Sequence, residues 1–168
     1  LWQRGLDNEL FNPDKKDKAY IQNITGNNKP NILFASRLVW EKNLQALIDL
    51  YKKCESENAE VNFIVAGDGV VRKELERKMP KAIFLGMLGH EDLAKVYASC
   101  DIFFFPSVTE TYGNVVVEAM ASGLPCVVAN GGGPKSIITD GVNGLICEEN
   151  NIDEFWITIS DLLQDKEL

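Results

Sequence analysis

Histidine is nearly absent from this chain: His90 is the single example in 168 residues, and the four cysteines, Cys54, Cys100, Cys126 and Cys147, form no Cys-x-x-Cys pair. That pattern excludes a zinc site of ordinary spacing and a small disulfide scaffold, and it predicts reduced, buried thiols. His90 stands beside Glu91 and Asp92 at a helix start and reads as a surface or capping residue, not a metal ligand or base. Long apolar runs are missing too. The longest, Asp101-Ile-Phe-Phe-Phe-Pro, falls far short of the roughly 20 residues that cross a bilayer, and no signal-peptide pattern opens the sequence. Positive charge is scarce: 17 Lys and Arg against 25 Asp and Glu give a net charge of −8. Broad adhesion to nucleic acid or anionic lipid is thereby disfavoured, and any phosphate must be held locally. Two nucleotide signatures are lacking. No Gly-x-Gly-x-x-Gly follows the first strand, and Gly131-Gly-Gly-Pro-Lys135-Ser136 is without the Gly-Lys of a P-loop.

What is present is the material of one soluble globular domain, with 45% hydrophobic and 25% charged residues. From Asn31 onward, short and nearly continuous apolar runs alternate with longer amphipathic segments, the pattern of parallel strands covered on both faces. Strands are predicted at Asn31–Ala35, Val61–Ala66, Ala82–Leu85, Ile102–Phe105, Cys126–Ala129 and Gly144–Cys147. Helices are predicted near Leu44–Cys54, Val71–Met79, Glu91–Cys100, Asn114–Ser122, Pro134–Thr139 and Ile152–Leu163. The fold class is α/β, a doubly wound parallel sheet with helices on both faces. Residues 1–30 read as a linker and lead-in with one short helix around Asp17–Ile21, and residues 31–168 as the sheet domain. Leu1 in the first position and a helix end at Asp161–Leu168 give the expectation of a piece cut from a longer protein.

In such a sheet, ligands bind beyond the carboxyl ends of the strands. The loop after the fourth strand runs through Glu110 into a predicted helix, so Gly113, Asn114 and Val115 stand at a helix N-terminus, where free amides and the dipole hold an anion such as a diphosphate. Glu118, about one turn further on, suits a pair of vicinal hydroxyls such as those of ribose. On spacing alone, Glu110 and Glu118 serve equally well to stabilise the first turns of their helix. Arg37 and Lys42 frame the first helix of the sheet domain. Two cations there oppose its dipole unless an anion lies between them, which suggests phosphate; on spacing alone, solvation or pairing with Glu41 accounts for them equally well.

Several phrases, in this order and spacing, carry a resemblance: Arg4-Gly-Leu-Asp-Asn-Glu-Leu-Phe-Asn-Pro13, Ala35-Ser-Arg-Leu-Val-Trp-Glu-Lys-Asn-Leu44, Gly67-Asp-Gly-Val-Val-Arg72, Phe84-Leu-Gly-Met-Leu88, Tyr97-Ala-Ser-Cys-Asp101 and Pro106–Pro125. Nearly the whole chain resembles the C-terminal, donor-nucleotide-binding half of the family 4 retaining glycosyltransferases with the GT-B fold, also known as glycosyl transferases group 1. Ser36 stands where that family often has Gly, and Leu6 where it usually has Val; neither change removes a chemical group. The resemblance implies a Rossmann-like domain, one half of a GT-B enzyme. It implies that Arg37 and Lys42 contact the donor diphosphate and that Glu110 contacts the transferred sugar, these three being the catalytic set. It further implies that Glu118 contacts ribose, that Gly113, Asn114 and Val115 supply amides, and that Met87 and Leu88 lie beside the base. The implied donor is a UDP- or GDP-sugar used without a metal cofactor. The implied acceptor is a glycolipid or polysaccharide precursor bound by an absent N-terminal domain, in a cytoplasmic enzyme with peripheral contact to the inner face of the membrane. The fragment alone is expected to be inactive. Two other functions fit the same architecture: a non-catalytic module that binds nucleotide-sugar, and a sugar-nucleotide 2-epimerase.

Overall fold

The computed structural model of the chain describes residues 6–165. Six parallel strands, β1 (Asn31–Ala35), β2 (Asn62–Ala66), β3 (Ile83–Gly86), β4 (Ile102–Phe105), β5 (Cys126–Ala129) and β6 (Leu145–Cys147), form one sheet in the order β3-β2-β1-β4-β5-β6. This is the predicted doubly wound α/β architecture, and the order reverses between β1 and β4. The helices are α1 (Lys18–Thr25), α2 (Leu44–Ser56), α3 (Arg72–Lys78), α4 (His90–Ser99), α5 (Asn114–Ala121), α6 (Gly132–Ile137) and α7 (Ile152–Gln164). Two boundaries move for identifiable reasons. The β2–β3 register shifts between Val65 and Ala66, which carries β3 one residue on, to Gly86. Helix α6 starts at Gly132, ahead of Pro134, because a proline costs nothing in a first turn whose amides have no intrahelical acceptor.

Both faces of the central strands are sealed, which is why their sequences show no alternation. Every residue of β1 and β4 is buried. Successive phenylalanines of β4 point to opposite faces: Phe104 meets Phe155 of α7 at 5.0 Å between ring centroids, whereas Phe103 meets Tyr97 of α4 at 5.7 Å. The lead-in is packed as well. Phe11 and Ile21 are buried in the same core, and the Phe11 ring stands edge-on to Tyr97 at 5.9 Å. Asp17 caps α1 by accepting from the Tyr20 amide, and its own amide donates to Ser99 Oγ at the end of α4. Arg4 and Gly5, which open the first matching phrase, lie outside the described residues, as does the end of the chain after Asp165.

Candidate functional site

The loops that follow β1 and β4 meet at the reversal point, and the sequence between residues 36 and 43 is shaped to reach across. A 3-10 turn spans Trp40–Lys42, and Asn43 then adopts the left-handed region at φ 54°, which asparagine tolerates better than most residues. From that position Asn43 Nδ2 donates to the Pro106 carbonyl at 3.2 Å and to Asn150 Oδ1 at 2.9 Å. Thr109 Oγ1 donates to the Glu41 carbonyl at 3.0 Å and also contacts Ser107 Oγ at 3.2 Å. These bonds fasten the β1 loop to the β4 loop and set Lys42 Nζ directly on Glu110 Oε1. The partner of Lys42 is therefore Glu110, not Glu41. With side-chain exposures of 12% and 23%, the pair is more shielded than an ordinary surface ion pair and couples its members more strongly.

Behind Glu110, the glycine-rich segment that fails as a P-loop has a packing role. The Gly133 amide donates to the Glu110 carbonyl, and a Cβ on Gly133 would lie 2.6 Å from the Thr111 carbonyl oxygen, so only glycine lets α6 close against this loop.

Gly113, at φ 64°, is the N-cap of α5, and among the described residues the amides of Asn114 and Val115 have no protein acceptor. The first turn of α5 carries no acidic side chain. Glu110 precedes the helix and Glu118 lies in its second turn, so neither serves its opening in the way that spacing alone allowed. Glu118 is half-buried, and its Oε2 accepts a hydrogen bond from the Tyr97 hydroxyl at 3.2 Å. Burial raises its pKa above the usual carboxylate value; the Tyr97 bond and the charge of His90 oppose that rise. His90 itself is exposed at the start of α4.

Two cavities adjoin here and share Val115. The smaller, about 220 Å³, lies off the ends of β1, β2 and β3 and has mainly apolar walls from Met87, Leu88, Leu93 and Tyr97, with Ser36, Arg37 and Asp68 at its edge. The larger, about 400 Å³, is lined by Lys42, Glu110 and the Thr109–Val115 loop. Arg37 is exposed and borders the apolar cavity, while Lys42 borders the polar one. Glu118 lines neither and is linked to the first through Tyr97. Another cavity, of about 390 Å³ and without a charged side chain, lies at the opposite end of the sheet, where β5 and β6 begin. Among the described residues, no three His, Cys, Asp or Glu side chains come together as a metal-binding group.

Sequence reasoning missed Asn43, Thr109 and Tyr97 as parts of this site. Only Tyr97 carried a usable signal, a phenol on the buried face of a helix, which must find an acceptor.

The profile of the family described as glycosyl transferases group 1 matches residues 16–168. A GDP-mannose-dependent alpha-mannosyltransferase of Corynebacterium glutamicum is 38% identical over 148 residues, which are 88% of this chain and 35% of that protein. The structure of Anabaena Alr3699/HepE in complex with UDP-glucose superposes with a TM-score of 0.81 at 28% identity, covering 97% of this chain and 47% of that one. The C-terminal domain of a glycosyl transferase group 1 family protein (LpcC) of Francisella tularensis shares the fold, with a TM-score of 0.80 at 23% identity over 97% of this chain and 90% of that domain. The chain thus spans about a third of the length of the mannosyltransferase. It belongs to the glycosyl transferases group 1 family and has the Rossmann-like fold of a GT-B half.

Proposed function

From that membership, we propose that the chain is the donor-binding half of a retaining glycosyltransferase that moves a sugar from a UDP- or GDP-linked donor to a glycolipid or polysaccharide precursor. The observation that carries the reading is the pair of adjoining cavities at the strand-order reversal, one apolar and one lined by Lys42, Glu110 and free helix amides. The apolar cavity has walls suited to a base, with Met87 and Leu88 beside it. The polar one suits diphosphate and sugar. The Corynebacterium relative is named for its dependence on GDP-mannose, and the Anabaena protein was crystallised with UDP-glucose, so both bases stay in play.

As the anomeric C–O bond breaks, positive charge grows on the sugar and negative charge on the departing diphosphate. The amides of Gly113–Val115 are fixed donors for the leaving group, and Arg37 and Lys42 bring positive charge to it once the donor is bound, so that the stabilisation is in place before the bond breaks. Glu110 orients the sugar hydroxyls and Glu118 the ribose, so both act by positioning. Before the donor arrives, Lys42 and Glu110 satisfy one another; donor binding turns the ammonium toward phosphate and leaves the carboxylate for the sugar. Glu110 and Glu118 are not the acid/base pair of a glycosidase, which must flank the scissile bond. The acceptor site belongs to the rest of the whole protein, so this chain alone does not turn over. No described helix is long and apolar enough to cross a membrane, and we place the whole enzyme in the cytoplasm with peripheral contact at the membrane face.

Titration calorimetry of the chain with UDP, GDP and inorganic diphosphate, first in EDTA and then with Mg²⁺ or Mn²⁺, tests this reading. Binding of one nucleotide in EDTA, weakened for both nucleotide and diphosphate by Arg37→Ala and Lys42→Ala, is the expected result. Binding only with metal rejects the metal-independent account, and no nucleotide binding under either condition rejects the assignment.

A further inference from the structure

Among the described residues the Tyr97 side chain is the largest fully buried one, yet it is polar at its tip. Its hydroxyl reaches Glu118 Oε2, and its ring forms part of the wall of the apolar cavity. The ring is clamped edge-on by Phe11 of the lead-in and Phe103 of β4. A phenol in such surroundings has little freedom, so its hydroxyl defines a fixed point from which the Glu118 carboxylate hangs. Glu118 Oε1 has no protein donor among the described residues, which leaves one oxygen for a ligand.

We infer that Tyr97 is the positioning residue of the nucleoside site: it holds one oxygen of Glu118 so that the other is presented to the ribose diol. The inference rests on the reading of Glu118 as the ribose carboxylate and adds the residue that aims it. Tyr97 itself touches the ribose only through Glu118. A purely packing role would be filled by phenylalanine, which keeps the ring and its contacts.

The carboxylate must also stay ionised to accept two hydroxyls. Burial works against that, while the Tyr97 hydroxyl and His90, both from α4, support the charged form. Cys126 of β5, a buried thiol, also faces Tyr97, and Phe103 of β4 and Phe11 of the lead-in pack on the ring; of the charged side chains on the lead-in and the rest of α4, Lys15 and Glu91 pair with each other. Removing the hydroxyl therefore moves Glu118 protonation to higher pH.

The experiment is titration of UDP, GDP and inorganic diphosphate into the chain and its Tyr97→Phe, Glu118→Ala and doubly substituted forms, across pH 5.5–8.5. Tyr97→Phe is expected to weaken the nucleotide about tenfold, the scale of one hydrogen bond to a charged group, and to leave diphosphate unchanged. The double variant should be no weaker than Glu118→Ala, because both changes remove the same interaction. The acid limb of nucleotide affinity should move to higher pH in Tyr97→Phe, and equally so in a His90→Gln background, which removes the histidine's charge from the neighbourhood of Glu118. Wild-type nucleotide affinity in Tyr97→Phe, with Glu118→Ala impaired, overturns the positioning role and leaves the ribose reading standing. Equal losses for nucleotide and diphosphate mark Tyr97 as structural and overturn it too. Wild-type affinity in Glu118→Ala overturns the ribose reading, and this inference with it.

Discussion

Gly67, the first residue after β2, offers a direct test of how the strand ends are held together to form the site. Its φ is +122°, outside the small left-handed region that other residues can enter, and a Cβ there would overlap the Ser36 carbonyl oxygen on the neighbouring loop. In a Gly67→Ala variant the dihedral alone costs about 1–3 kcal/mol. The Ser36 carbonyl cannot yield freely, because the Ser36 amide donates to the Ala66 carbonyl at 3.1 Å and the Leu38 amide to the Asp68 carbonyl at 2.9 Å. Straining or losing both bonds adds about 1 kcal/mol each. The sum, about 3–5 kcal/mol, is a large part of the ~5–15 kcal/mol that holds a domain folded. For a chain of this size it lowers Tm by roughly 10 °C or more. The control is Gly26→Ala at the end of α1, where φ is +71° and no atom lies within 4 Å of the new Cβ. That change carries only the dihedral cost of about 1–2 kcal/mol and a drop of a few degrees. Thermal melts of the two variants, followed by circular dichroism, separate overlap from dihedral strain. A Gly67→Ala melt within two degrees of the Gly26→Ala melt would refute the claim that the β1 and β2 loops are in rigid contact. Because Gly67 also borders the apolar cavity, surviving folded Gly67→Ala protein should lose affinity for nucleotide more than for inorganic diphosphate.

Three further outcomes are expected. Glu110→Gln in the whole enzyme should depress kcat far more than nucleotide affinity, in protein that a thermal melt shows to be folded; kcat equal to wild type would take Glu110 out of the active site. All four thiols are buried, and burial pushes those of Cys54 and Cys126 up to about 12 and raises those of Cys100 and Cys147 as well. A thiol reagent such as DTNB at pH 8 should therefore label none in the native chain within minutes and all four in guanidinium, whereas rapid native labelling would contradict their burial. Glu118 is raised above its ordinary value of 4.5, so between that value and its folded one the native state retains a proton that the unfolded state releases. Its contribution to stability is fully present below 4.5 and is lost as pH rises through that interval, so Glu118→Gln should raise Tm at pH 7–8 while costing nucleotide affinity. An unchanged or lower Tm would show that the buried charge is not a burden to the fold.

The fold was legible because strands buried on both faces leave an unbroken apolar signal. Runs such as Asn31–Ala35 and Ile102–Phe105 coincide with β1 and β4 at both ends. Other ends moved by a few residues, the end of α1 from Ile21 to Thr25 among them; at β3 and α6 the deciding factors were a bulge and the tolerance of a helix's first turn for proline, neither of which alters the hydrophobic pattern. Residues 1–30 were harder to read, because their apolar groups, Leu10–Phe11 and Tyr20–Ile21 with Ile24, are short and set in a polar stretch, too few to show by period which face they bury.

The site was legible to the extent that its chemistry lies along single loops. Glu110 and Gly113–Val115 stand together on one segment, as do Arg37 and Lys42 on another, so position after a strand was enough to nominate them. What joins the two segments could not be read in that way. Lys42 and Glu110 are 68 positions apart, Asn43 and Pro106 are 63, and Tyr97 and Glu118 belong to different helices. Each link depends on a register between elements that only the closed sheet defines. Spacing alone left Lys42 between a bound anion and solvent or Glu41, and Glu118 between a ribose contact and a helix-stabilising role, because the nearest charge in sequence is the only protein partner that spacing can offer. The closed sheet provides a different partner for each, and those partners fix the direction in which the two side chains face.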